Sequence, residues 1–326
     1  MRARFTFAPV FFLCFLLVLL ASTHAAADAA QPSAQSDNTM QPPLTIAAFR
    51  DITAFILETG KRKSLFNIDV AYVKNADEAH SDLTTRKREL VFMSYDDTLS
   101  LALQDKYADI EAVAPVHGGV LDLCGSLDLT RSKNVVGIDT DSGYARALRR
   151  YLRQRLPNQS DYAKISWAYA GATNLRYKKL VDGELQATLL NPPYSYGDGV
   201  TRLVKMLDVV GAYQGVVINA NKSWRADANN AARLDAFTAA YYSLINALKT
   251  DKTGTIAQLA AHYAISEQQA AAVYARLWEA DGLSLGPTFS RKQLEGAEAL
   301  FAWDTGAPVV SPRSWLGGAL GEDGAQ

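Results

Sequence analysis

The stretch Val135–Leu152, VVGIDTDSGYARALRRYL, decides how the chain is read. An apolar run ends in Thr140-Asp141-Ser142-Gly143, and then Tyr144, Ala147, Leu148, Tyr151 and Leu152 recur at the i, i+3, i+4, i+7, i+8 spacing of one helix face. The pattern predicts a strand, a short polar turn and a helix N-terminus. Free backbone N–H groups and the positive end of the helix dipole point out of such a turn, which can hold an anion or a ligand oxygen without any catalytic residue. An isolated capped helix start also occurs for purely structural reasons, so its surroundings must decide.

Outward from this stretch, short apolar runs alternate with amphipathic ones. Strands are predicted over 44–49, 68–73, 90–95, 110–116, 135–139, 165–170, 185–190 and 215–220, with helices over 52–59, 76–86, 98–106, 142–155 and 173–183. Such alternation predicts an α/β architecture with largely parallel sheets, whose ligand sites lie beyond the carboxyl ends of the strands. After Asn221 only helical periodicity remains. Leu234, Phe237, Tyr241, Leu244, Ile245 and Leu248 line one face, Ile256, Leu259, Ala260 and Tyr263 a second, and Ala270, Val273, Tyr274, Leu277 and Trp278 a third.

The N-terminus carries Arg2 and Arg4, an apolar run from Val10 to Leu20, and the small residues of Ser22-Thr23-His24-Ala25-Ala26-Ala27. This is the three-part pattern of a cleavable secretory signal peptide, expected over 1–27. A flexible leader over 28–43, rich in Ala, Gln, Ser and Pro, is expected to follow. Cys14 lies inside the apolar run rather than at a cleavage point, which argues against a lipid anchor, and Cys124 is then the one cysteine left. With a net charge of −1 over 326 residues, nothing suggests nucleic acid or an anionic membrane as partner.

In chain order, the segments LTIAAFRDITAF (44–55), NIDVAYV (67–73), LVFMSYDDTLSLAL (90–103), IEAVAPVHGG (110–119), KNVVGIDTDSGYARALRRYL (133–152), YKKLVDGELQATLLNPPYS (177–195) and DKTGTIAQLAAHYAISEQQAAAVYARL (251–277) follow a familiar series. The chain resembles the type II periplasmic solute-binding proteins of ABC importers, in the branch of sulfonate, taurine, nitrate and thiamine-precursor binders. The resemblance runs from about Leu44 to Asp304 and rests on order and shape rather than on one motif. The segment ETGKRKSLFN (58–67) is shorter and more basic than the family's usual phrase, and Gln186 stands where an aspartate is common.

The resemblance implies two α/β lobes with a ligand clamped between them, a hinge and a C-terminal helical segment. The first lobe is expected over 44–118 and 215–316, the second over 119–214, and a frayed tail over 317–326. No cofactor is expected, and the partners implied are a small-molecule ligand and the membrane subunits of an ABC permease, with the protein itself a monomer.

Turns after the strands then become candidate ligand contacts. Phe49, Arg50 and Asp51 follow the first strand; Arg50 can offer a bidentate fork to a carboxylate, sulfonate or phosphate, or simply pair with Asp51. Ser94, Tyr95, Asp96 and Asp97 follow the third, where one aspartate is expected to cap a helix starting near Thr98 and the other, with Tyr95, is free for a ligand amine. His117 and Gly118 follow the fourth, at a lobe crossing where backbone must bend. Thr140, Ser142, Gly143 and Tyr144 would present N–H groups on the second lobe, across the cleft from Arg50. Tyr169 and Asn174, then Asn191 and Tyr194, flank the next two turns. Tyr95, Tyr144, Tyr169 and Tyr194 are expected to wall an aromatic pocket, or in part to pack between the lobes. Arg146, Arg149, Arg150, Arg153 and Arg155 read as a solvated surface.

No catalytic reading assembles. Ser142 lies in Asp-Ser-Gly rather than a nucleophile elbow, no phosphate-binding Gly loop is present, and His117 has no carboxylate or cysteine at metal-ligand spacing. The function expected is therefore an exported, periplasmic solute-binding protein for a small organic solute, anionic and of a kind that includes aromatic rings, not an enzyme. The alternatives are an exported sensor for a membrane receptor and a pyrimidine-synthase-like enzyme, the latter opposed by the single mature cysteine.

Overall fold

The computed structural model describes residues 42–321 apart from 129, 142, 157 and 309–312. The expected signal peptide, nearly all of the leader and Ser142 lie outside the described residues.

In chain order the first elements are β1 (Leu44–Ala48), α1 (Ile52–Arg62), β2 (Ile68–Tyr72), α2 (Ala76–Thr84), β3 (Leu90–Ser94), α3 (Tyr95–Ala102) and β4 (Ile110–His117). Then come β5 (Asp122–Gly125), β6 (Asn134–Ile138), α4 (Tyr144–Arg155), α5 (Gln159–Tyr162), β7 (Ile165–Tyr169), α6 (Thr173–Val181), β8 (Ala187–Leu190), β9 (Arg202–Lys205) and α7 (Leu207–Val210). The chain closes with β10 (Val216–Asn221), α8 (Lys222–Arg225), α9 (Ala228–Thr250), α10 (Lys252–Tyr263), α11 (Glu267–Leu277), β11 (Phe289–Ser290), α12 (Arg291–Thr305) and β12 (Leu320–Gly321).

Two five-stranded sheets result, ordered β2-β1-β3-β10-β4 and β7-β6-β8-β5-β9. In the first, β1 runs parallel to β2 and β3 while β10 is antiparallel to both β3 and β4. In the second, β6 is parallel to β7 and β8 while β5 is antiparallel to β8 and β9. Each sheet is thus a parallel trio extended through one reversed strand, and it is these strands, β10 and β5, that follow the two crossings between the sheets. The buried runs Leu90–Ser94 and Ile110–His117 carry no alternation because helices cover both faces of the first sheet.

At the crossings the two strands of chain nearly touch. Gly215 donates its N–H to the His117 carbonyl at 3.0 Å. A Cβ on Gly215 would lie 2.3 Å from the Gly119 nitrogen, so only glycine fits. Asn191 Nδ2 donates to the Gly119 carbonyl at 2.9 Å and ties the second sheet to the same point.

The C-terminal part departs from expectation in two places. Helix α12, not anticipated as a separate element, packs Leu294, Ala297, Leu300 and Phe301 into one core with Tyr95 and Leu99 of α3 and Ala147, Leu148 and Leu152 of α4. It therefore grips both lobes. The frayed tail expected from Gly317 is instead paired to its last described residue: Gly317 donates to the Ala112 carbonyl at 2.8 Å, and β12 pairs in parallel with β11.

Candidate functional site

Four helix starts meet between the sheets. Asp51 caps α1, its carboxylate accepting from the Thr53 N–H at 2.9 Å. Ser94 caps α3 by accepting from the Asp97 N–H at 3.0 Å, and its hydroxyl donates to Asp97 Oδ2 at 2.7 Å. Across from these, α4 and α6 begin at Gly143 and Ala172 with no side chain capping either, leaving first-turn N–H groups for something else to satisfy.

The two sides are drawn together. Ala172 N–H, from the second lobe, donates to the Lys74 carbonyl of the first at 2.8 Å. Gly143, at φ +57°, packs so close that a Cβ on it would stand 3.0 Å from Ser94 Oγ. Between them lies a cavity of about 50 Å³ lined by Phe49, Asp51, Ser94, Asp97, Asp139, Thr140, Gly143, Tyr144, Arg176 and Asn191 among others. One water needs roughly 10–15 Å³ on such a measure, so the cavity has room for a few waters.

Its electrostatics are unusual for a protein interior. Burial pushes Asp139 up to about 6 despite Arg176 nearby, and pushes Asp51 up to about 6 despite the Thr53 N–H. The Tyr144 hydroxyl is held well above its ordinary range by burial and by the carboxylates of Asp51 and Asp97. Arg176 is only 4% exposed. Its guanidinium is spent on backbone, donating to the Leu189 carbonyl at 3.1 Å and to the Gly171 carbonyl.

Solved structures share the fold that carries this cavity. A ligand-binding component of an ABC-type import system from Staphylococcus aureus, with zinc bound, is 13% identical and superposes with a TM-score of 0.66 over 85% of this chain and 96% of that one. The alkanesulfonate-binding protein SsuA from Xanthomonas axonopodis pv. citri, bound to MOPS, is 15% identical with a TM-score of 0.64 over 85% and 98% of the two chains. A Candida albicans gene product described as exhibiting the generic periplasmic binding protein structural fold is 10% identical, with a TM-score of 0.61 over 83% and 92%. The chain has the periplasmic-binding-protein fold. No family model matches it, and no curated protein does. Identities this low carry the fold and leave the ligand open.

Within this fold the structure gathers seven of the expected residues around the interlobe cavity: Phe49, Asp51, Ser94, Thr140, Gly143, Tyr144 and Asn191. Others go elsewhere. Arg50, expected to face Gly143, instead lays its guanidinium over the Tyr72 ring at 4.4 Å. There it lines, with Tyr194, Tyr177, His262 and Tyr263, a separate notch of about 520 Å³ on the outer side of the cleft. The notch is the larger space, but the inner cavity is lined by the buried, unpartnered Asp139 Oδ1 and Tyr144 hydroxyl, and it is the candidate site.

Tyr95 is fully buried and fixed to the C-terminal segment, its hydroxyl donating to Glu298 Oε1 at 2.9 Å and accepting from Trp315 Nε1 at 2.8 Å. Asp96 is likewise buried against the Tyr213 hydroxyl, with burial pushing it up to about 7. Neither reaches the cavity, and neither aspartate of the pair caps α3, because Ser94 does. His117 sits in the crossing, Nδ1 accepting from the Gly119 N–H at 3.0 Å, and burial pushes it down to about 3. Gly118 donates to the Gly282 carbonyl at 3.2 Å in the same crossing. Tyr169 is 65% exposed and donates to Asp141. Asn174 is half-buried on α6 and does not line the cavity. The aromatic wall therefore shrinks to Tyr144 in the cavity and Tyr194 at the notch.

The α4 arginines are not simply a solvated surface. Arg146 is buried, stacks on Phe301 at 4.7 Å and lies 3.1 Å from Asp304, which Arg149 also reaches at 2.7 Å. Two residues the sequence reading passed over, Asp139 and Arg176, matter most. A signal for Arg176 existed: Thr173, Arg176 and Leu180 are the buried residues of α6 at i, i+3 and i+7, so a charged residue stands in an apolar stripe.

Proposed function

We propose that this chain is the exported solute-binding component of an ABC importer, which closes two lobes around a small organic solute and hands it to a membrane permease. The observation that carries the reading is the interlobe cavity, lined from both lobes and flanked by the Ala172–Lys74 backbone bond and by two helix starts without side-chain caps. Support comes also from the signal-peptide pattern, which implies a periplasmic location, and from the fold shared with binding components of import systems. Among the described residues no helix is long and apolar enough to cross a membrane.

In this reading lobe one comprises 44–118 and 215–316 and lobe two 119–214, hinged where Gly119 meets Gly215. Binding shifts the population from open toward closed, with no covalent step. The helix starts of α4 and α6, Asp51, Ser94, Thr140, Tyr144 and Asn191 contact the solute. Arg50 is not part of the inner site, which withdraws the main reason to expect a simple anion. A thermal-shift screen across sulfonates, amino acids, amines and pyrimidines tests the proposal: one compound that raises the melting temperature with dose, and is recovered unchanged, is the expected result. A compound that is consumed overturns it in favour of an enzyme.

A further inference from the structure

The cavity wall constrains the chemistry of that solute. Three carboxylates, Asp51, Asp97 and Asp139, line it together with one guanidinium, Arg176. The guanidinium donates to the Leu189 and Gly171 carbonyls, so it moderates the local negative potential while bonding to backbone. His80 approaches Asp97 at 3.3 Å from α2, and its affinity for a proton is raised by that aspartate against the opposing effect of burial. Asp97 already accepts from the Ser94 hydroxyl, and Asp51 already caps α1. Asp139 differs. The Ala76 N–H faces its carboxylate, yet Oδ1 is buried with no partner among the described residues, and so is the Tyr144 hydroxyl.

Asp139 Oδ1, an acceptor, and the Tyr144 hydroxyl, which can donate or accept, are buried without partners in a cavity that Phe49, Ile138, Leu148 and Val216 also wall, so only a ligand or water can satisfy them. An anion placed there would meet the carboxylates at close range, with little water to screen it.

Building on the solute-binding reading, we infer that the solute presents a nitrogen donor, a protonated amine or a ring N–H, to Asp139 Oδ1 and the Tyr144 hydroxyl. Any acidic end it carries points to the bare helix starts of α4 and α6. The site thus takes an amine, a zwitterion or an aminated ring, and discriminates against a simple anion.

A matched probe set tests this on the full exported chain: ethylamine, taurine, 4-aminopyrimidine and ethanesulfonate, titrated by calorimetry, together with identification of any small molecule that copurifies. At least one nitrogen-bearing probe or a nitrogen-bearing copurified molecule is expected to bind, with ethanesulfonate at least tenfold weaker. Asp139→Asn, which keeps the acceptor for Ala76, should weaken that nitrogen ligand at least tenfold and improve ethanesulfonate; Tyr144→Phe should weaken it several-fold. Ethanesulfonate binding as tightly as the amines, or a tight ligand indifferent to Asp139→Asn in a variant that stays folded, overturns the inference while leaving a solute-binding protein. If nothing copurifies and no probe binds, the solute-binding reading itself falls, and this inference with it.

Discussion

The Ala172 backbone N–H points across the cleft to the Lys74 carbonyl, 2.8 Å away, and is the hydrogen bond by which the start of α6 holds the edge of the opposite lobe. Ala172 lies at φ −59° and its N–H serves no bond within α6, so proline leaves the bonds of α6 intact, while its ring removes the donor and puts Cδ against the Lys74 carbonyl in the closed form. Ala172→Pro is expected to leave α6 intact and cost the closed form at least about 1 kcal/mol, the lost bond plus the clash, an at least roughly fivefold loss of solute affinity. Calorimetry against circular dichroism separates the two effects, and a loss of helix content instead would mean the bond is structural.

Gly143 occupies φ +57°, ψ −129°, a region in which side chains strain the backbone, and it faces Ser94 Oγ across the lobes. Gly143→Ala should cost about 1–3 kcal/mol, with the part due to the Ser94 approach felt only on closure. Binding should weaken at least tenfold. Arg50→Ala, by contrast, should leave affinity for a small solute within about twofold, because Arg50 packs on Tyr72 at the outer notch.

Removing Arg176 strands two carbonyls and leaves Asp139 and Asp51 without their nearby cation. Arg176→Met is expected to destabilise the fold by about 3 kcal/mol, in the range for breaking a buried charge arrangement. It should also raise Asp139 further. Urea unfolding at pH 7 measures the first effect. A change under 1 kcal/mol, roughly a fivefold shift in the folding constant, would mean that water replaces the guanidinium.

Asp139 and Asp51 titrate near 6 when folded, against about 3.9 unfolded. A carboxyl whose folded value is raised binds more protons in the native state between these values, so stability falls as pH rises from about 4 to about 6 and is level above. For the ligand-free protein, Asp139→Asn should abolish its share, up to about 3 kcal/mol. The variant is then more stable than the parent at pH 7 and similar at pH 4. An equal gap at both values would contradict the assignment.

Much of this was legible in the sequence and part was not, for physical reasons. The eight predicted strands all form, since buried parallel strands are runs of β-branched and aliphatic residues that announce themselves. β5 and β9, four residues each, are too short to show a period. α3 starts at Tyr95, three residues before the expected Thr98: Ser94, Asp96 and Asp97 can each cap, and only the exit of β3 selects Ser94. Arg50 and Arg176 show the limit most clearly. The turn after β1 does reach the cleft, but a long side chain can leave it, and Arg50 does so for the face of Tyr72. Arg176 lies mid-helix, away from any strand end, and enters the site only because α6 buries the stripe that carries it.

The central claim is that the cavity between the lobes is built to hold a small molecule and release it unchanged. Native mass spectrometry of the gently purified exported protein tests it most directly. The account predicts one small molecule per chain, retained under mild activation, lost on denaturation and intact when recovered. A bare chain that no candidate solute converts to a one-to-one complex, or a bound compound that emerges chemically altered, would contradict it.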